Sequence, residues 1–131
     1  MTVTATSTAM YRTTRRYYGM ALAAARATSE LIASATSKPD EMPTGARYFL
    51  SWDLRSGYGV TREGTLIGLF SVERGRGHDM VKDAIANGAD NLDCFDGFLP
   101  DYYRQYGFVE TDRVPNWTQG EPDVVFMGLS V

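Results

Sequence analysis

Residues 65–72, TLIGLFSV, constrain the fold more than any other stretch. The run is apolar on both alternations, as in a strand covered on both faces. Turn residues Glu63-Gly64 precede it. Behind it come ERGRG and then HDMVKDAIANG (78–88), where Met80, Val81, Ala84 and Ile85 recur at helical spacing and Gly88 stands where a C-terminal cap belongs. NLDCF (91–95) reads as the next strand, so a strand–helix–strand unit with at least one parallel pairing lies at the centre of the chain.

The flanks complete the pattern. ARYFLSWD (46–53) and YGVTRE (58–63) read as strands, with a hairpin turn at Glu63-Gly64. LPDYYRQYG (99–107) reads as a short helix with Pro100 in its first turn. FVETDRV (108–114) and DVVFMGLSV (123–131) read as closing strands around a loop holding Pro115, Trp117, Gly120 and Pro122. Ala9 to Ser37 reads as helical, with Tyr17, Ala21, Ala24, Ala25, Thr28, Leu31 and Ile32 on one face and Gly19 as a break into two helices. SKPDEMPTG (37–45) ends that segment, and residues 1–8 are too polar and irregular to pack. The expected class is α/β (α+β): one domain over 1–131, a central mixed sheet with helices on both faces.

Charge and composition narrow the functions. The net charge is −3, yet residues 1–38 carry Arg12, Arg15, Arg16, Arg26 and Lys38 against Glu30 alone, so the acidic excess lies in the remainder. A transit peptide or a nucleic-acid contact through Arg12, Arg15 and Arg16 is one reading of the basic end. The acidic bulk opposes phosphate attraction and points to a neutral or cationic partner. No apolar run approaches 18 residues. The single cysteine, Cys94, permits no internal disulfide and fits a reducing, cytoplasmic setting. It reads as a buried small hydrophobe, and no His/Cys cluster supports a metal.

Two motifs carry chemistry. The first is SVERGRGHDMVKDAI (71–85): Gly75-x-Gly77 between a strand and a helix. Backbone N–H groups at a positive helix end bind phosphate oxygens, glycines let a ligand approach closely, and Arg74 and Arg76 add charge. A bare tight turn has the same wording. The second is Tyr102-Tyr103-Arg104-Gln105-Tyr106-Gly107-Phe108, a tyrosine pair shortly before the Gly-Phe that opens a strand.

Together these motifs make the chain from about residue 46 to its end resemble the GCN5-related N-acetyltransferase (GNAT) superfamily. Its members place a (Gln/Arg)-x-x-Gly-x-(Gly/Ala) pyrophosphate loop between strand and helix, and a Phe-Tyr-x-x-x-Gly-Phe-like element later. The apolar register sets Gly75 and Gly77 on the family's glycines and leaves Val72 at its Gln/Arg position. A second alignment keeps Arg74 with Gly77, but puts Asp79 where Gly or Ala belongs. The wording LDCFDG is similar to small GNAT-like proteins of phages, in which case the host cytoplasm or a virion is the setting.

The resemblance implies acyl transfer from acetyl-CoA to an amine, with no metal. It implies a general-acid role for Tyr103 toward the leaving thiolate. It also implies cofactor contacts from Leu69, Phe70, Ser71 and Val72 along the pantetheine arm, and from Arg74, Gly75, Arg76, Gly77 and His78 around the pyrophosphate. Asp53, Glu73, Asp93 and Asp96 stay open as bases. A GNAT-shaped binding or structural protein without catalysis is the rival, and a homodimer is permitted.

Overall fold

The computed structural model describes residues 9–130; the expectation for residues 1–8 lies outside them. In chain order the elements are β1 (Met10–Thr13), α1 (Arg15–Thr28), α2 (Glu30–Ala35), a 3-10 turn (Pro39–Glu41), β2 (Arg47–Ser51), β3 (Ser56–Val60) and β4 (Leu66–Ser71). Then follow α3 (Gly77–Ala86), β5 (Asn91–Phe95), α4 (Phe98–Arg104), β6 (Phe108–Val114) and β7 (Val124–Leu129). Two antiparallel sheets form, ordered β1-β2-β3-β4 and β5-β7-β6.

The expected parallel pairing is reduced to one bridge, Thr65 with Asn91, where β4 begins and β5 starts. Thr65 Oγ1 donates to Asn91 Oδ1 at 2.6 Å there. Beyond it the two strands part into a fork. The mixed sheet is therefore two antiparallel sheets hinged at that point. A bulge contributes: Gly59 pairs Ile67 and Gly57 pairs Phe70, so Gly68 and Leu69 both face Tyr58. Gly68 takes φ +57°, and a Cβ there would collide with Tyr18 Oη and Met42. Tyr18 Oη donates to the Gly68 carbonyl at 2.5 Å, which ties α1 to the bulge.

Helices cover the first sheet on both faces, as the doubly apolar β4 requires. Tyr18, Leu22 and Ala25 of α1 pack on Tyr48, Leu50 and Phe70. On the other face Val81 and Ala84 of α3 and Tyr103 of α4 pack on Phe49, Tyr58, Leu66, Leu92, Phe108 and Met127. Each fully buried large side chain here stabilises the fold by about 1.5–3 kcal/mol.

The N-terminal segment departs from the sequence reading. Residues 10–13 are not helical: they pair with β2, Tyr11 opposite Leu50. Thr14 then caps α1, its side chain accepting from the Tyr17 amide at 3.1 Å. Gly19 breaks nothing. α1 runs through it, and the glycine admits Pro39, whose Cβ lies 3.4 Å from where a Cβ would be. The interruption falls at Ser29, which caps α2. The buried face is also rotated by about one residue: Tyr18, Ala21, Leu22 and Ala25 point inward, while Tyr17 and Leu31 are exposed.

Candidate functional site at the strand fork

β4, the loop 72–76 and the start of α3 form one wall of the candidate site; β5 and α4 form the other. Gly75 has φ +84°, and a Cβ on it would meet nothing within 4 Å. Its backbone is open to a ligand. Gly77 has a different reason to be glycine, because a Cβ there would collide with Tyr102 Oη of α4. α3 begins with no side-chain cap on its amides, so its first N–H groups carry the helix's positive end.

The two arginines of the loop differ. Arg76 donates from Nη1 to Asp53 Oδ1 at 3.0 Å and from Nη2 to Asp53 Oδ2 at 2.7 Å. It also donates to Ser56 Oγ at 3.1 Å. Both side chains of the pair are only about one-fifth exposed. The Arg76 hydrogen bonds hold the Asp53 carboxyl well below the usual carboxylate range. Arg76 thus anchors the loop to the β2–β3 turn. Arg74 is exposed, with no ion pair among the described residues, and is the loop's available cation. Val72 donates its amide to the Arg55 carbonyl at 2.9 Å and packs partly against the α1 core. Ser71 Oγ donates to the Glu73 carbonyl at 2.6 Å and Leu69 packs toward α3 and α4, whereas Phe70 is buried under α1. His78 lies on the surface, Nδ1 3.1 Å from Tyr106 Oη.

Tyr103 sits across the fork. It is 8% exposed, packed edge-on against Phe108 with ring centroids 6.0 Å apart. Among the described residues its hydroxyl has no hydrogen-bond partner. Burial, with Cys94 and Tyr106 nearby, pushes that hydroxyl up to about 12. Burial also pushes the Cys94 thiol up to about 11, so it stays protonated and a poor nucleophile at neutral pH.

Three polar relationships had no signal in the sequence: Asp53 with Arg76, Tyr102 over Gly77, and the chain from His78 through Tyr106 Oη to Tyr102 Oη at 3.2 Å. Each joins segments more than twenty residues apart, except the last link, from Tyr106 just past α4 back to Tyr102. Of the four open carboxylates, Asp53 is held by Arg76, Glu73 by Arg55 at 2.6 Å and Asp96 by Arg113 at 2.7 Å. Asp93 has no ion pair among the described residues. No group of three or more His, Cys, Asp or Glu among them could hold a metal ion, and no described helix is long and apolar enough to cross a membrane. A separate cleft of about 690 Å³, lined by Tyr11, Tyr17, Met20, Leu50, Trp52 and Leu54, lies at the β1 edge, the opposite side of the first sheet from the fork.

No family model matches the sequence, and no curated protein matches it. Solved structures do. An acyl-CoA N-acyltransferase from Pseudomonas aeruginosa superposes with a TM-score of 0.67 at 16% identity, over 93% of this chain and 99% of that one. A GCN5-related N-acetyltransferase from Rhodopseudomonas palustris gives 0.65 at 15%, over 100% of both chains. A GNAT-family acetyltransferase from Staphylococcus aureus MU50 gives 0.56 at 13%, over 93% and 99%. None of these supports a phage origin. With the forked sheets, the bulged β4 and the glycine-started α3, the likeness establishes one thing: this chain has the fold of the GCN5-related N-acetyltransferases.

Proposed function

We propose that the protein transfers an acetyl group from acetyl-CoA to an amine. The observation that carries this reading is Tyr103: a buried tyrosine, its hydroxyl unpartnered among the described residues, standing beside Cys94 of β5 where the strands separate. No buried side-chain oxygen among the described residues lacks a partner, so this hydroxyl reaches solvent at the ring's tip and is open to an incoming group. With its proton held to high pH, it serves as a general acid for a departing thiolate and not as a base.

The loop supports the same reading. Its residues fit a pyrophosphate: Gly75 is open, the α3 amides are uncapped, and Arg74 is free to add charge. Arg76 has a positioning role, fixing the loop through Asp53. Val72 leaves the family's Gln/Arg contact unmade. Leu69 and the backbone around the bulge line the fork on the pantetheine's expected route. Rate acceleration would come chiefly from holding amine and thioester together, with acid–base help worth about 10²–10⁴-fold.

A second reading, a GNAT-shaped binding protein without catalysis, is favoured by one observation. Tyr102 over Gly77 and His78 against Tyr106 tie α4 and the turn after it to the start of α3, across the place where the cofactor would enter. Calorimetric titration with acetyl-CoA separates the two. Micromolar binding that Gly75→Glu abolishes supports the transferase. Gly75→Asn, which tolerates positive φ without adding charge, should retain it. A folded wild-type protein that takes up no acetyl-CoA supports the binding protein.

A further inference from the structure

The cleft at the β1 edge is no part of the fork. β1 ends the first sheet, and three strand spacings, roughly 14 Å, separate it from β4. Three elements wall the cleft: α1, β1 and the turn between β2 and β3. Its volume of about 690 Å³ falls in the range of small-molecule sites, roughly 300–1,000 Å³. On α1, Ala21 and Ala24 are too short to fill it, and the buried Leu50 forms its floor.

Apolar surface gathers here. Of the twelve exposed large hydrophobic side chains among the described residues, five line this one cleft: Tyr11, Tyr17, Met20, Trp52 and Leu54. Such a concentration marks a binding surface, where singly scattered side chains do not. Among the described residues, the rings of Tyr11, Tyr17 and Trp52 touch no other aromatic ring. The hydroxyls of Tyr11 and Tyr17 have no hydrogen-bond partner among them either. Three ring faces and two polar tips therefore stand unpartnered in one concavity.

Leu54 is held there under strain. It has φ +64° and is the only described non-glycine residue with positive φ, a conformation that suits glycine better than a branched aliphatic. Its amide donates to the Ser51 carbonyl at 2.9 Å, and the Asp53–Arg76 pair fixes the same turn. A leucine thus stands where glycine would be relaxed, and its side chain, 58% exposed, forms part of the cleft wall.

Charge selects the occupant. No carboxylate lines the cleft, and Arg12 is the one charged residue on its wall. Arg12 pairs with Phe49 and holds its guanidinium 6.0 Å from the centre of that ring, on the face turned to α3. Tyr11, paired with Leu50, is on the α1 face. An ionic ligand would lose water there with nothing to pair it.

We propose that this cleft binds an uncharged aromatic molecule of two or three rings. Its rings pack on Tyr11, Tyr17 and Trp52, and a polar substituent reaches a tyrosine hydroxyl. Met20, with its flexible thioether, and Leu54 close over the edges. The site stands apart from the transferase reading.

The test is a titration of the full chain with N-phenyl-1-naphthylamine, an uncharged probe that fluoresces on leaving water. The expected result is saturation at one probe per chain. Leu54→Gly should not lower stability to urea, because glycine adopts φ +64° without strain, yet it should weaken the probe at least about fivefold. Trp52→Ala, at an exposed position, should do the same. Met20→Glu, which sets a charge in the cleft, should weaken it at least about tenfold. So should replacing the probe by 8-anilinonaphthalene-1-sulfonate, the same ring system carrying an anion. No saturable signal, an affinity unchanged in both Leu54→Gly and Trp52→Ala, or tighter binding of the sulfonate overturns the proposal. Light scattering tests the rival occupant: a dimer that Trp52→Ala makes monomeric assigns the cleft to a second copy of the chain and also overturns it.

Discussion

Arg76 and Asp53 lie 23 residues apart and meet through two parallel hydrogen bonds, at 3.0 and 2.7 Å. The fork geometry of a guanidinium matches a carboxylate, which makes this a directional clamp between the β2–β3 turn and the loop entering α3. Ser51 Oγ also donates to Asp53 Oδ1 at 2.7 Å. Removing the carboxylate by Asp53→Ala leaves a largely buried cation, so unfolding by urea should show a loss of about 1–3 kcal/mol. The carboxyl's lowered pKa sets the sign with pH. Its stabilisation is present above the ordinary carboxylate range and is lost as pH falls below about 4. The wild-type advantage over Asp53→Asn should therefore shrink between pH 5 and the acid limit of folding. An advantage that grew on acidification would contradict the clamp.

Gly77 and Tyr102 form a second coupled pair. A methyl at residue 77 collides with Tyr102 Oη, so Gly77→Ala should cost about 1–3 kcal/mol. Tyr102→Phe removes the atom struck. In the double variant the cost of Gly77→Ala should fall by at least about 0.5 kcal/mol, a non-additivity that a double-mutant cycle in urea resolves. Additive effects would mean that Gly77 is required by its backbone and not by its neighbour.

Why some of this was legible in the sequence is a matter of range. The doubly apolar run ending at Val72 announces a strand covered on both faces, although β4 ends its sheet at the fork and is not central, and the stripe Met80, Val81, Ala84 announces α3, because periodicity records local burial. β1 was hidden because an edge strand with exposed Tyr11 and Arg12 leaves no alternation to read. Gly19 misled because a glycine that admits Pro39 looks the same as one that ends a helix. The site divides the same way. The places of Gly75 in the loop before α3 and of Tyr103 on α4 could be read from motif spacing. The pairing of Arg76 with Asp53, and the isolation of Asp93 when three other carboxylates have partners, exist only once the strands are side by side.

Tyr103→Phe separates chemistry from binding. Its hydroxyl has no hydrogen-bond partner among the described residues, so the substitution should leave unfolding within about 0.5 kcal/mol of wild type. Acetyl-CoA affinity should also be kept. Turnover of an accepted amine should fall about 10²–10⁴-fold in kcat, the range for a lost general acid. An unchanged kcat would make Tyr103 a packing residue against Phe108.

Alkaline pH should unfold this protein earlier than its acidic balance suggests. Five of the eight tyrosines, Tyr18, Tyr48, Tyr58, Tyr102 and Tyr103, have hydroxyl pKa values raised chiefly by burial. The Cys94 thiol is raised for the same reason. In the unfolded chain these groups ionise near their ordinary values, about 10 for tyrosine and 8.5 for cysteine. Their contribution is intact below those values and is lost as pH rises through the folded ones. Once past the unfolded value, each withheld ionisation costs about 1.4 kcal/mol per pH unit. Stability by urea should begin to fall above about pH 9 and steeply above 10, and the tyrosinate absorbance of these five tyrosines should appear in one cooperative step with the loss of near-ultraviolet circular dichroism. Tyr103→Phe should move that midpoint upward by removing one group. A smooth titration of all eight tyrosines near pH 10 in a still-folded protein would show that these five hydroxyls are open to water.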